Sequence, residues 1–101
     1  MHINTLGIIA KGGNAVIGVK NIKSYLRKIK TKPGFLIVAK DASEKTKKKA
    51  KYLKEKYRLP LIELGTKKEI ARFFKKGEIS VIYVKNKGFL SLNYSRLKNF
   101  F

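Results

Sequence analysis

The run Phe35-Leu36-Ile37-Val38-Ala39 is apolar at every position and lies between two turn signals, Pro33-Gly34 before it and Lys40-Asp41 after it. A strand with one wet face alternates apolar and polar residues. A strand with no polar position is buried on both faces. This run therefore reads as the centre of a sheet with a layer packed on each side, and the rest of the chain has to supply those layers.

The flanking segments alternate in period. Residues 3–11 read as a short helix, with Asn4 or Thr5 as N-cap, Leu6, Ile9 and Ala10 at helical spacing, and Gly12-Gly13 as its end. Asn14–Ile17 reads as a strand broken by Gly18. On a 100° wheel the next helix puts Val19, Ile22, Tyr25, Leu26 and Ile29 on one face. Past the central strand, Asp41 or Ser43 can cap a helix running to about Tyr57, with Ala42, Thr46, Ala50, Leu53 and Tyr57 inward. Pro60 opens a strand over Leu61–Leu64. Gly65-Thr66 caps a helix through Phe74, with Ile70, Phe73 and Phe74 inward. Ile79–Val84, rich in β-branched residues, reads as the last strand, and Phe89–Phe100 as a last helix. Strands alternating with helices predict an α/β fold: a three-layer α/β/α sandwich around a four-stranded mixed sheet, as one domain over residues 1–101.

Charge narrows the partner. The chain has 25 Lys and Arg against 6 Asp and Glu, a formal net charge of +19. So large an excess predicts a polyanionic partner, most commonly nucleic acid, and self-repulsion that favours a monomer when RNA is absent. There is no cysteine, which removes disulfides, thiolate metal sites and a cysteine nucleophile. His2 is the sole histidine, and no carboxylate pair, triad or phosphate loop is visible. The expectation is a protein that is not an enzyme and needs no cofactor or metal. No segment approaches the roughly 20 apolar residues of a membrane span, so the expected location is cytoplasmic, away from membranes.

The cations are patterned. In the stretch Gly12–Leu26 a strand feeds a glycine turn and the turn feeds a helix. Lys20, Lys23 and Arg27 form a stripe on the outer side of that helix, with Lys28 beside them. Exposed N–H groups and the positive dipole end at its start suit an anion. In α/β sheets ligands gather where strands hand over to helices. The lysines of residues 45–56 read as a solvated face that adds to the long-range field, and no aromatic stacking platform is visible on a basic face.

At this point the chain resembles a known group. Val16-Ile17-Gly18-Val19-Lys20-Asn21 is similar to the Ile-Gly-x-Lys-x run of the L-thirty-e branch of the kink-turn RNA-binding ribosomal proteins, the L-seven-Ae and L-thirty-e superfamily. Leu36-Ile37-Val38-Ala39-Lys40-Asp41-Ala42 looks like the family's second strand and its Ala-x-Asp-Ala exit, and Glu69-Ile70-Ala71-Arg72 sits where the family starts a helix. The opening Leu6–Gly13, with Val84 and Gly88-Phe89, resembles the bacterial YlxQ-like branch.

The resemblance implies a structured-RNA-binding protein, ribosome-associated, acting on kink-turn or ribosomal RNA by fit and charge. It implies that the segment Gly18–Lys23, Val19 included, docks on the RNA, that Gly18 allows close backbone approach, that Lys20 and Asn21 reach base edges, and that Lys23 and Arg27 hold phosphates. Lys40, Asp41 and Ala42 would flank the site, and Gly77 and Ile79 would pack on an extruded base. The pattern also departs from the family. Where the archaeal motif is Gly-Ala-Asn-Glu, this chain has Gly18-Val19-Lys20-Asn21, so the acidic acceptor for guanine N–H groups is missing. Ala71 and Lys75 stand where relatives often have glycine. More phosphate affinity and less base discrimination are expected than in the archaeal proteins.

Overall fold

A computed structural model describes residues 1–91 of the chain. The elements are α1 (Thr5–Lys11), β1 (Ala15–Ile17), α2 (Val19–Lys28), β2 (Phe35–Val38), α3 (Glu44–Tyr57), β3 (Leu61–Glu63), α4 (Lys67–Phe74) and β4 (Val81–Val84), followed by a 3-10 helix, Lys87–Ser91. The last strand begins two residues later than expected, because Ile79 and Ser80 are still approaching the sheet. The expected terminal helix enters the described residues only as the 3-10 turn; its remainder, with Arg96 and Phe100, lies outside them.

Local chemistry sets the helix ends. Gly18 opens α2 at φ +88°, a region costly for any residue with a Cβ. Of the two caps expected for α3, Ser43 is the one used: its hydroxyl accepts from the Thr46 N–H at 3.2 Å. Thr66 and Glu69 form a reciprocal capping box on α4, at 3.1 and 2.9 Å. Asn4 sits at the N-cap of α1 without a side-chain bond to it.

The sheet is mixed, in the order β1-β4-β2-β3. β2 and β3 run parallel, while β4 is antiparallel to both of its neighbours. β2 and β4 fill the middle, and every residue of each is buried. The register puts Leu36 and Val38 beside Tyr83 and Val81, on the face covered by α2 and α3. Tyr83 meets the Tyr25 ring of α2 there, centroids 5.7 Å apart. Phe35, Ile37, Ile82 and Val84 point to the opposite face, where α1 and α4 pack together. Burying each large apolar side chain contributes roughly 1.5–3 kcal/mol. In α4 Ile70 and Ala71 are fully buried, and Phe73 and Phe74, inward as expected, are half-buried and pack against the core, Phe73 beside Gly7. Among the described residues, no helix is long and apolar enough to cross a membrane.

Candidate nucleic-acid interface

One end of the sheet collects three turns. β1, β2 and β3 all finish there, and antiparallel β4 starts there. Backbone bonds lace these turns together. The Gly18 N–H donates to the Val81 carbonyl at 3.0 Å, the Ala39 N–H to Ser80 at 2.8 Å, and the Lys40 N–H to Gly65 at 2.8 Å. The Ile79 N–H donates to Lys67 at 3.1 Å, which holds the α4–β4 loop at the same end. Gly18–Asn21, Lys40–Ala42 and Gly77–Ile79 are distant in sequence, yet the strand order brings them side by side.

Their exposure differs. Lys20, Asn21, Lys40, Asp41 and Gly77 are exposed, while Gly18, Val19 and Lys23 are half-buried. Ile79 corrects an expectation: its side chain is only 3% exposed and belongs to the core, so it has no face for an extruded base. Ala42, 7% exposed, offers little side chain either. Arg27 is not part of this end. It sits in the last turn of α2, about 9 Å along the axis from Asn21 at 1.5 Å per residue.

Asp41 caps a helix, but not its own. Its carboxylate accepts from the Lys67 N–H at the start of α4, at 2.8 Å. Asn21 uses its amide locally: Nδ2 donates to the Ile17 carbonyl at 3.0 Å, four residues back. That bond turns one of the two amide hydrogens inward to the end of β1. The side-chain carbonyl makes no hydrogen bond among the described residues, so it stays available as a neutral acceptor.

The charge is unevenly neutralised. Glu69 belongs to the capping box, Glu63 pairs with Lys47 at 3.6 Å, and Glu78 pairs with Lys67 at 4.0 Å. Among the described residues Lys20, Lys23, Arg27 and Lys40 have no carboxylate at ion-pair distance. α2 also opens without a side-chain cap and without an acid in its first turn. The cations and N–H groups at the start of α2 are therefore unspent. Among the described residues no group of three or more His, Cys, Asp or Glu side chains could hold a metal ion.

Sequence reasoning missed one cluster. α2 and α3 leave a small hollow, about 70 Å³, lined by Lys23, Arg27, Tyr52, Leu53, Lys56 and Tyr57. Tyr52, 53% exposed, is an aromatic on a basic face, which the sequence reading did not find. The signal available was its place off the inward stripe of α3, next to Leu53.

No family model matches the chain, and no curated protein matches it. Solved structures do. A protein of unknown function from Bacillus halodurans is similar at a TM-score of 0.75 and 26% identity, over 86% of each chain. The Giardia lamblia 15.5kD RNA binding protein is similar at a TM-score of 0.62 and 19% identity, over 96% of this chain and 75% of that one. The likeness to the Giardia protein is one of fold.

Proposed function

We propose that this chain is a non-catalytic RNA-binding protein that grips structured RNA at the sheet end formed by Gly18–Asn21, Lys40–Asp41 and the loop around Gly77. The observation that carries this reading is the meeting of those three segments beside a helix start without a side-chain cap and beside Lys20, Lys23 and Lys40, which have no carboxylate at ion-pair distance among the described residues. A net charge of +19 supplies the long-range attraction. The shared fold with the Giardia RNA-binding protein supports RNA over other polyanions. Backbone N–H groups at the start of α2 approach the RNA, with Gly18 allowing that approach, and Lys20 and Lys40 hold phosphates. The finer form of the proposal is kink-turn or ribosomal RNA, in association with the ribosome.

A second reading is a general phosphate grip on RNA or DNA. The Asn21 geometry favours it, because an amide tied to Ile17 keeps only one N–H and a neutral carbonyl for base edges, with no charged acceptor.

The test is a titration at two salt concentrations against a kink-turn RNA, a mismatched RNA duplex and a DNA duplex of equal length. Kink-turn preference that survives high salt supports structural readout. Equal and steeply salt-dependent binding to all three supports the general grip and removes the kink-turn assignment. Charge reversal of Lys20 and Lys40 to Glu should sharply lower RNA affinity with the fold intact. Wild-type affinity in that folded variant overturns the site.

A further inference from the structure

We propose that the hollow between α2 and α3 is a second phosphate site, filled by a backbone phosphate of the RNA whose other contacts lie at the Gly18 end. The inference rests on the RNA-binding reading above and adds to it a contact surface on α3. Three cationic side chains line the hollow: Lys23 and Arg27 from α2, and Lys56 from α3. No acidic side chain lines it, and among the described residues none of the three cations has a carboxylate at ion-pair distance. Arg27 and Lys56 sit in the last turns of their helices, where the helix dipole favours a cation. That dipole accounts for each residue singly. It does not account for three cations from two helices lining one small hollow, an arrangement that like-charge repulsion opposes until an anion enters.

The neighbours suit a phosphate group. Tyr52 and Tyr57 line the same hollow and carry hydroxyl donors. Lys56 lies over both rings, 5.7 Å from the Tyr52 centroid and 5.5 Å from that of Tyr57. Lys32 lies over the other aromatic neighbour, Tyr57, at 5.3 Å. These contacts restrain Lys56 beside the hollow. A hollow of about 70 Å³ matches the size of a small anion.

Its position suits RNA. Lys23 and Arg27 lie four and eight residues past Val19, about 6 and 12 Å along the axis of α2. An RNA backbone that runs along α2 from the sheet end would pass the hollow.

The experiment has two arms, both on the full chain. In the first, inorganic phosphate is titrated while backbone amide shifts are followed by NMR. Saturable shifts centred on Arg27, Tyr52 and Lys56 are expected. Small unsaturable shifts spread over all lysine-bearing segments overturn the site. In the second arm, RNA binding by Lys56→Gln is compared with Lys49→Gln, which removes the same charge from an exposed position of α3 outside the hollow. Lys56→Gln should lower the slope of log affinity against log salt by about 1. Lys49→Gln should change it clearly less. Equal effects from the two variants mean a diffuse field and overturn the proposal. Saturable phosphate binding with an unchanged slope in Lys56→Gln assigns the hollow to free phosphate and overturns its RNA source. If the wild type binds no RNA at low salt, the RNA-binding reading itself fails, a result distinct from failure of the hollow alone.

Discussion

The Asp41 carboxylate accepts a hydrogen bond from the backbone N–H of Lys67 at 2.8 Å, across 26 residues of sequence. It joins the turn after β2 to the first turn of α4, beside the Thr66–Glu69 capping box. Together with the Lys40–Gly65 backbone bond, it fixes one wall of the sheet end. A carboxylate at a helix start gains from both the N–H and the dipole. Asp41→Ala should cost about 1–2 kcal/mol of stability, and Asp41→Asn less, because it keeps an acceptor oxygen. Denaturant melts of the three proteins check this; an Ala variant as stable as wild type would show that the bond contributes nothing.

The glycines at 18 and 34 separate two kinds of backbone constraint. At Gly18 an added Cβ meets open space, so the cost of Gly18→Ala comes from φ +88° alone, about 1–2 kcal/mol. That Cβ also projects where RNA would approach, so affinity should fall by more than the lost stability explains. At Gly34 an added Cβ runs into the Val84 carbonyl and the Tyr83 ring. Gly34→Ala should therefore destabilise more, by about 3 kcal/mol, because backbone has to move. Melts that rank the two variants in the opposite order would contradict these geometries.

Tyr83 gives the fold an alkaline limit. Burial pushes its hydroxyl above the ordinary tyrosine value, the Gly34 N–H acts in the lowering direction, and Tyr25 adds to the rise. The folded state therefore holds this proton more tightly than the unfolded chain. Its contribution is complete below about pH 10 and is lost as pH rises beyond that. Tyr83→Phe removes the 3.0 Å bond from Gly34 and should cost about 1 kcal/mol at pH 7. The gap between the two proteins should narrow above pH 10. Melts at pH 7, 9 and 10.5 provide the comparison, and a constant gap would exclude Tyr83 as the titrating group.

Asn21→Glu replaces a donor tied to Ile17 with a charged acceptor. A carboxylate cannot donate to that carbonyl, so the side chain should turn outward, towards bound RNA. Preference for kink-turn RNA over plain duplex should sharpen, while affinity for duplex drops slightly with the lost net positive charge. A competition titration reads the ratio, and an unchanged ratio counts against base readout at position 21.

Much of this was legible in the chain itself, and the exceptions share a cause. The all-apolar run at Phe35–Ala39 announced a strand buried on both faces, and β2 is that strand. The wheel over α2 separated Ile22 and Leu26 from Lys20 and Arg27, because one helix face repeats every few residues. What escaped notice depends on pairs far apart. Asp41 had an obvious nearby helix to cap, and its real partner lies past β3. Ile79 reads as loop or strand edge until β4 is known to begin at Val81 and to draw it under the α4–β4 turn. Tyr52 and Lys56 belong to a helix that is polar nearly all round, so no periodicity marks which of its cations faces α2.

The insertion of β4 between β1 and β2 has a kinetic meaning. Neither of those strands pairs with the other, so β1 has no sheet partner until residues 81–84 arrive. A nascent chain that stops short of Ser80 can close only the β2–β3 pair, and the Gly18 and Lys40 turns stay unconnected to each other. Folding of this domain should accordingly be all-or-none and governed by one long-range closure, with the RNA-facing end assembled in the same event as the core.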